Sequence, residues 1–266
     1  MTKIVVCGVA GRMGQRLAHL SLAAPDLELV GGKEHPAHAA VGRDIGEIIG
    51  TQRLDLEVAD TLSGLVASDR VVVNFTTPEA TLEDAALCAA RGAPMVVGTT
   101  GFTPEQLDEF KSVVSGISCV FASNFSTAMN ALFKLVEEAA RILGDDYDVE
   151  VVEAHHRHKV DAPSGSALTL AERAAAGLNR NLREVVVHGR QGVVGERTTQ
   201  EIGMHAVRAG DIAGEHRVLY AAPGEFIELK HFATSRDSFA LGALRAARFA
   251  AGAEPGLYSM GDVLGL

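Results

Sequence analysis

Ile4-Val5-Val6-Cys7-Gly8-Val9-Ala10-Gly11-Arg12-Met13-Gly14 is the stretch that decides the fold. Its first four residues are apolar and mostly β-branched, which reads as a short buried strand. Gly8, Gly11 and Gly14 follow at once in a G-x-x-G-x-x-G spacing, and a helical pattern then runs to about Ala24. Glycine at these places permits a tight turn and close approach of backbone N–H groups to a pyrophosphate. The start of the helix adds a favourable dipole for anionic charge. Tight turns use the same residues, so the context matters. Leu27 to Val30 reads as a second strand, and Glu34 lies 20 residues past Gly14 at its end. An acidic group there accepts hydrogen bonds from the adenosine ribose hydroxyls. Lys33, His35 and Arg12 are nearby cationic or potentially cationic groups. They read either as partners for a 2′-phosphate or as surface side chains.

Outward from this motif the pattern repeats. Val71-Val72-Val73-Asn74-Phe75, Met95-Val96-Val97 and Ile117 to Ala122 are apolar strands, with helices opening at Pro78 and near Pro104. Strands alternating with helices predict an α/β domain with a parallel sheet covered on both faces. After Asn124 the character changes. An amphipathic helix is expected over about Thr127 to Leu143, a strand over Asp148 to Glu153, and a helix from about Ser164. Glu201 to Arg208, Arg217 to Ala221 and Phe226 to Phe232 read as strands of a mixed or antiparallel sheet, and a last helix is expected over about Ser238 to Ala251. The fold class is therefore α/β, with an N-terminal Rossmann-type dinucleotide-binding domain over 1–126 and an α+β domain over 127–236.

The chain has 266 residues, 22% charged and 47% hydrophobic, an ordinary globular balance. A formal charge of −10 argues against a general nucleic-acid binder. No apolar run is long enough to cross a bilayer. Cys7, Cys88 and Cys119 each fall in an apolar run and read as buried thiols in a reducing compartment. The chain opens directly on its first strand, so a cytoplasmic location is expected.

The second half contains Glu153-Ala154-His155-His156-Arg157-His158-Lys159-Val160-Asp161-Ala162-Pro163-Ser164-Gly165-Ser166. Three histidines and a lysine lie within five positions. A zinc site is one reading, although no cysteine or spaced acid completes a ligand set; a solvated polar loop is another. A third fits better. The helix starting at Ser164 offers free N–H groups and hydroxyls for an anion. Lys159 and a nearby histidine supply charge and a proton for a small carboxylate.

These motifs, together with Gly98-Thr99-Thr100-Gly101, Asn124-Phe125-Ser126, Arg208-Ala209-Gly210-Asp211-Ile212-Ala213-Gly214-Glu215-His216 and Ser235-Arg236, resemble those of the dihydrodipicolinate reductase family. The resemblance runs in order over essentially the whole chain, and the His/Lys loop is its most specific part. It implies NADH and/or NADPH as cofactor, held by Gly8, Ala10, Gly11, Arg12, Met13, Gly14, Glu34, Phe75, Gly98, Thr99, Thr100, Gly101, Asn124 and Phe125. It implies a cyclic dicarboxylate substrate between the domains, met by Lys159, His156, Ser164, Gly165, Ser166 and Arg236; His155 and Lys159 are the expected catalytic residues, and no metal is expected. It also implies a homotetramer, and a C-terminal segment, 237–266, that joins the first domain. The expected reaction is reduction of 4-hydroxy-tetrahydrodipicolinate in lysine and diaminopimelate synthesis. His155 is the first candidate for the proton donor and Lys159 its rival. Ser166 stands where the family usually has Thr, which keeps the hydroxyl. His35 stands where many relatives have Arg, which weighs against a strong NADPH preference. A thioester-forming semialdehyde dehydrogenase would need a reactive cysteine, and all three cysteines fall in expected core positions.

Overall fold

The computed structural model describes residues Met1 to Leu266. It divides into two compact units, Met1–Thr127 with Arg236–Leu266, and Ala128–Ser235. In chain order the first unit holds β1 (Thr2–Cys7), α1 (Arg12–Leu22), β2 (Leu27–Lys33), α2 (Ile45–Ile49), β3 (Val58–Ala59), β4 (Arg70–Asn74), α3 (Pro78–Arg91), β5 (Met95–Val97), α4 (Pro104–Val113) and β6 (Ser118–Phe121). The second carries α5 (Thr127–Leu143), β7 (Asp148–His155), α6 (Gly165–Gly177), α7 (Leu182–Val185), β8 (Val186–His188), β9 (Ile202–Arg208), β10 (Glu215–Ala222) and β11 (Glu225–Phe232). The chain then returns to the first unit with α8 (Asp237–Ala250), β12 (Gly256–Tyr258) and α9 (Met260–Leu264).

The first unit is a seven-stranded sheet in the order β12-β6-β5-β4-β1-β2-β3, parallel throughout. Strand side chains alternate between faces, and both faces here are dry. Ile4 and Val6 enter one core with Leu17, Ala243 and Ala247, whereas Val5 and Cys7 enter the other with Ala85, Cys88 and Phe110. That is why the strands read as unbroken apolar runs. The helix starts are set by local chemistry. Thr77 and Thr103 cap α3 and α4, each with proline in the first turn, and Thr103 forms a reciprocal capping box with Gln106.

The second unit is a mixed sheet in the order β11-β10-β7-β9-β8. β7, β9 and β8 run parallel, while β10 and β11 are antiparallel to their neighbours. α5 and α6 cover one face, burying Met129, Val136, Leu170 and Ala174 against Val149, Val151, Ile202, Met204, Val218 and Tyr220. The short elements α2, β3, α7, β8, β12 and α9 have no counterpart in the sequence reading, because pieces of two to five residues show no full period. No helix is long and apolar enough to cross a membrane.

A polar network lies inside the first unit. Asp84 on α3 is 1% exposed, pairs with Lys33 Nζ, and accepts from Asn74 Nδ2 at 2.9 Å. Asn74 Oδ1 accepts in turn from Thr76 Oγ1 at 2.7 Å and Thr99 Oγ1 at 3.3 Å. Burial pushes the Asp84 carboxyl above its ordinary range, and Lys33 pulls it back only in part. Removing one partner of such a pair strands the other, which typically costs about 3–5 kcal/mol. Asp84→Ala is therefore expected to lower the urea or thermal unfolding midpoint of the first unit by a corresponding amount. An unchanged midpoint would show that Lys33 and Asn74 find new partners without cost.

Candidate functional site

The glycine turn is shaped by its neighbours. Gly8 has φ +70°, a left-handed conformation that favours glycine. Gly8 N and Val9 N donate to Lys33 O at 2.8 and 3.2 Å, which binds the turn to the end of β2. A methyl group on Gly14 would stand 2.0 Å from Gly8 O, so only glycine lets α1 approach the turn this closely. Gly11 caps α1 and makes no side-chain cap bond, which leaves the first-turn N–H groups for an outside acceptor. Glu34 Oε1 accepts from Ala10 N at 2.7 Å. A bare helix start, a backbone cradle that Cβ atoms would fill and a carboxylate beside it fit a dinucleotide pyrophosphate and ribose.

Among the flanking cations one expectation is corrected. Lys33 does not face the 2′-phosphate position; its ammonium turns inward to the buried Asp84. Arg12 and His35 remain exposed. Strand alternation is the reason: Lys33 and Glu34 are adjacent at the end of β2, so they leave on opposite faces.

Around the expected nicotinamide end, Gly98 follows β5, and a Cβ there would stand 2.1 Å from the Phe75 ring. Phe75 also packs against Phe125, with centroids 5.4 Å apart. Thr99 is buried and bonded to Thr81 at 2.8 Å, whereas Thr100 and Gly101 are exposed. Asn124 Oδ1 accepts from Ser126 N at 2.9 Å. Met13 is half-buried in α1. All of the expected cofactor residues thus lie on the first unit.

The His/Lys cluster stands on the second unit and is organised by Glu153, a residue given no role in the sequence reading. Glu153 is fully buried in β7. Arg208 on β9 grips it with two hydrogen bonds of 2.8 Å, and its Oε1 also accepts from Ser164 N at 3.0 Å. Its Oε2 lies 2.6 Å from His155 Nδ1. Burial pushes the Glu153 carboxyl up, but the hydrogen bonds from Arg208, His155 and Ser164 outweigh it and hold the group below its usual range. His155 is the last residue of β7, not part of the loop as expected. Burial moves its imidazole below the usual value; Glu153 opposes this, while Lys159 and Arg208 add to it.

Ser164 is buried, caps α6 through a bond from Ala167 N of 3.3 Å, and lies 3.0 Å from His216 Nε2. His216 is 4% exposed and burial holds its imidazole down at about 3, so it is neutral. Gly165 and Ser166 open α6. Lys159 pairs with Asp161 at 2.9 Å, and His156 is half-buried with an unpartnered Nδ1. His158 is exposed. Arg236 is exposed at the start of α8 and groups with the first unit, away in the chain from the other expected substrate ligands.

Comparison with known proteins agrees with this layout. Residues 2–125 match the family profile described as dihydrodipicolinate reductase, N-terminus, and residues 128–264 match its C-terminus counterpart. The 4-hydroxy-tetrahydrodipicolinate reductase of Syntrophobacter fumaroxidans is 49% identical over the whole of both chains. That of Desulfotalea psychrophila is 48% identical, covering 100% of this chain and 99% of the relative. Among solved structures, a dipicolinate-bound dihydrodipicolinate reductase from Paenisporosarcina sp. TG-14 superposes with a TM-score of 0.75 at 26% identity, over 97% of each chain. With both halves matched and near-half identity along its full length, the chain belongs to the dihydrodipicolinate reductase family.

Proposed function

We propose that this protein reduces 4-hydroxy-tetrahydrodipicolinate to tetrahydrodipicolinate with a reduced nicotinamide dinucleotide, in lysine and diaminopimelate synthesis. The observation that carries the reading is the cluster on the second unit in which buried Glu153 holds His155 and the Ser164 N–H at the start of α6, with Lys159 paired to Asp161 in the loop between them. Such a set suits a small dicarboxylate that must gain a proton. The solved relative bound to dipicolinate supports that substrate class.

A reduced nicotinamide dinucleotide held on the first unit would supply the hydride that C4 of the substrate needs once water has left the 4-hydroxy compound. The protein's own residues do the rest. The N–H groups at the start of α1 and the Gly8 turn would hold the pyrophosphate, and Glu34 would take the ribose. Gly98 and Phe75 form an apolar wall that excludes water. Ser164, Gly165, Ser166, His156 and Arg236 bind the carboxylates, and Lys159 offsets their charge. As electron density moves toward the ring nitrogen, C3 takes a proton, which His155 delivers from Nε2. Preorganised charge of this kind often supplies a larger part of the rate than the proton transfer itself. The assay is direct: generate the substrate from pyruvate and aspartate semialdehyde with the condensing synthase, add this protein, and follow nicotinamide absorbance. No absorbance change with either cofactor would refute the reading.

The exposed edge strand β11 presents Phe226, Ile227 and Phe232 to solvent, 69%, 44% and 55% exposed. An apolar strand edge of this kind calls for a partner, and a homotetramer is expected by sedimentation; a fully active monomer at micromolar concentration would rule it out. With Lys33 turned inward, only Arg12 and His35 remain to meet a 2′-phosphate. NADH and NADPH are both expected to support turnover, NADH being favoured by up to about 100-fold, roughly 3 kcal/mol. Titration of each cofactor checks this, and a preference for NADPH would show that the exposed pair dominates Glu34.

Lys159→Ala is expected to cripple turnover and spare the cofactor. Loss of the ammonium leaves a desolvated carboxylate without its partner, a cost of about 2–5 kcal/mol, or roughly 30-fold to several thousandfold in kcat/KM. NADH affinity, read by fluorescence titration, should stay within about twofold. A fall in activity of less than tenfold would remove Lys159 from the substrate site.

A further inference from the structure

The sheet register gathers ionisable groups that the sequence scatters. His231 on β11 pairs in register with His216 on β10, and His216 with Glu153 on β7; Arg208 on β9 is opposite His155. Glu153 and His155 are two residues apart, so they share the sheet face that α6 begins to cover. One carboxylate with no exposure to water thereby touches three elements: the strand end that carries His155, the helix start at Ser164, and Arg208.

We infer that Glu153 is a positioning residue: clamped by Arg208 and the Ser164 N–H, its carboxylate accepts the His155 Nδ1 proton, fixes the ring so that Nε2 is presented for proton transfer, and ties that ring to the start of α6. This rests on the assignment of His155 as the proton donor. Arg208 is essential to the arrangement, because an isolated carboxylate at zero exposure would protonate rather than remain an acceptor. The bidentate geometry also prevents the carboxylate from rotating away from the imidazole. On the other side of the ring, a Cβ on Gly214 would stand 3.3 Å from His155 Nε2, so glycine there keeps Nε2 approachable. A carboxylate on one ring nitrogen determines which nitrogen is free to exchange a proton, and stabilises the imidazolium form.

The surroundings of His155 make the effect readable. Glu153 faces it from its own strand, Arg208 from β9, Lys159, itself paired with Asp161, from the loop, and neutral His216 from β10, with ring centroids 5.0 Å apart; His231 lies behind His216 at 6.5 Å. Burial, Lys159 and Arg208 all disfavour the imidazolium, and Glu153 is the one group that favours it. Glu153→Gln removes that charge. Its amide also donates to Nδ1 and forces the proton of the neutral ring onto Nε2. The His155 pKa should then fall, and the basic limb of the kcat–pH profile should move to lower pH.

The experiment combines NMR of isotope-labelled histidine with steady-state kinetics. In the native protein His155 should carry its neutral-form proton on Nδ1; a proton on Nε2 overturns the inference without any variant. In Glu153→Gln the tautomer should switch and the pKa should fall. kcat near neutral pH should drop about 10- to 100-fold, within the usual reach of one acid, while KM changes less than about threefold and NADH affinity is retained. Glu153→Asp, which keeps the charge, should restore the Nδ1–H tautomer and part of kcat. Unchanged tautomer and pKa in Glu153→Gln refute the positioning role, whatever the activity. A switched tautomer with full kcat refutes the link to catalysis and locates the error in the choice of His155 as donor, which distinguishes it from failure of the reductase reading, where no substrate turns over in the native protein either.

Discussion

A carboxylate taken out of water must find donors or lose its charge, and each unit of this protein is arranged around one such group. In the first unit it is Asp84, met by Lys33 and Asn74. In the second it is Glu153, met by Arg208, His155 and the Ser164 N–H. Both anchor segments to which the proposed chemistry is assigned. The Asp84 network runs through Asn74 and Thr76 to Thr99, and so fixes the strand ends from which the Gly98–Gly101 loop departs. The Glu153 network fixes the ring of His155 and Ser164, the residue that caps α6.

The two carboxylates are solved differently. Asp84 meets a flexible ammonium and an amide, and burial still leaves its carboxyl raised. Glu153 meets a planar guanidinium in a bidentate pair with two further donors, and the carboxyl is lowered. The difference follows from donor number and geometry, since a fork matched to both oxygens satisfies more lone pairs than a point charge does. Only the second arrangement sets the carboxylate beside an imidazole, where its hydrogen bonds favour the ionised acceptor that a histidine expected to carry a proton requires.

The dinucleotide region illustrates the same economy of backbone. Gly14 lies where any Cβ would strike Gly8 O, and Gly98 where a Cβ would strike Phe75. These glycines serve close approach, one of helix to turn and the other of strand end to ring. The acidic Glu34, proposed to take the ribose, also accepts from Ala10 N and so holds the turn in shape.

Much of this was legible in the sequence. The apolar runs at Ile4–Cys7, Val71–Val73 and Met95–Val97 have no polar face, and a strand without a polar face must be covered on both sides, so the parallel sheet followed from local pattern. Pro78 and Pro104 announced helix starts, because proline fits the first turn of a helix and not its interior. The three glycines marked the tight turn before α1, and the His/Lys segment marked the ionisable cluster of the second unit, through residue type and spacing. The tertiary structure decided what depends on register and on facing direction. Nothing local reveals that Lys33 turns inward to a residue 51 positions away while Glu34 turns outward. Nothing local pairs Arg208 with Glu153 across 55 positions, or sets His216 against Ser164 across 52. Such contacts are fixed by which strands lie side by side and in what register, and a shift of one residue would turn every one of those side chains to the other face.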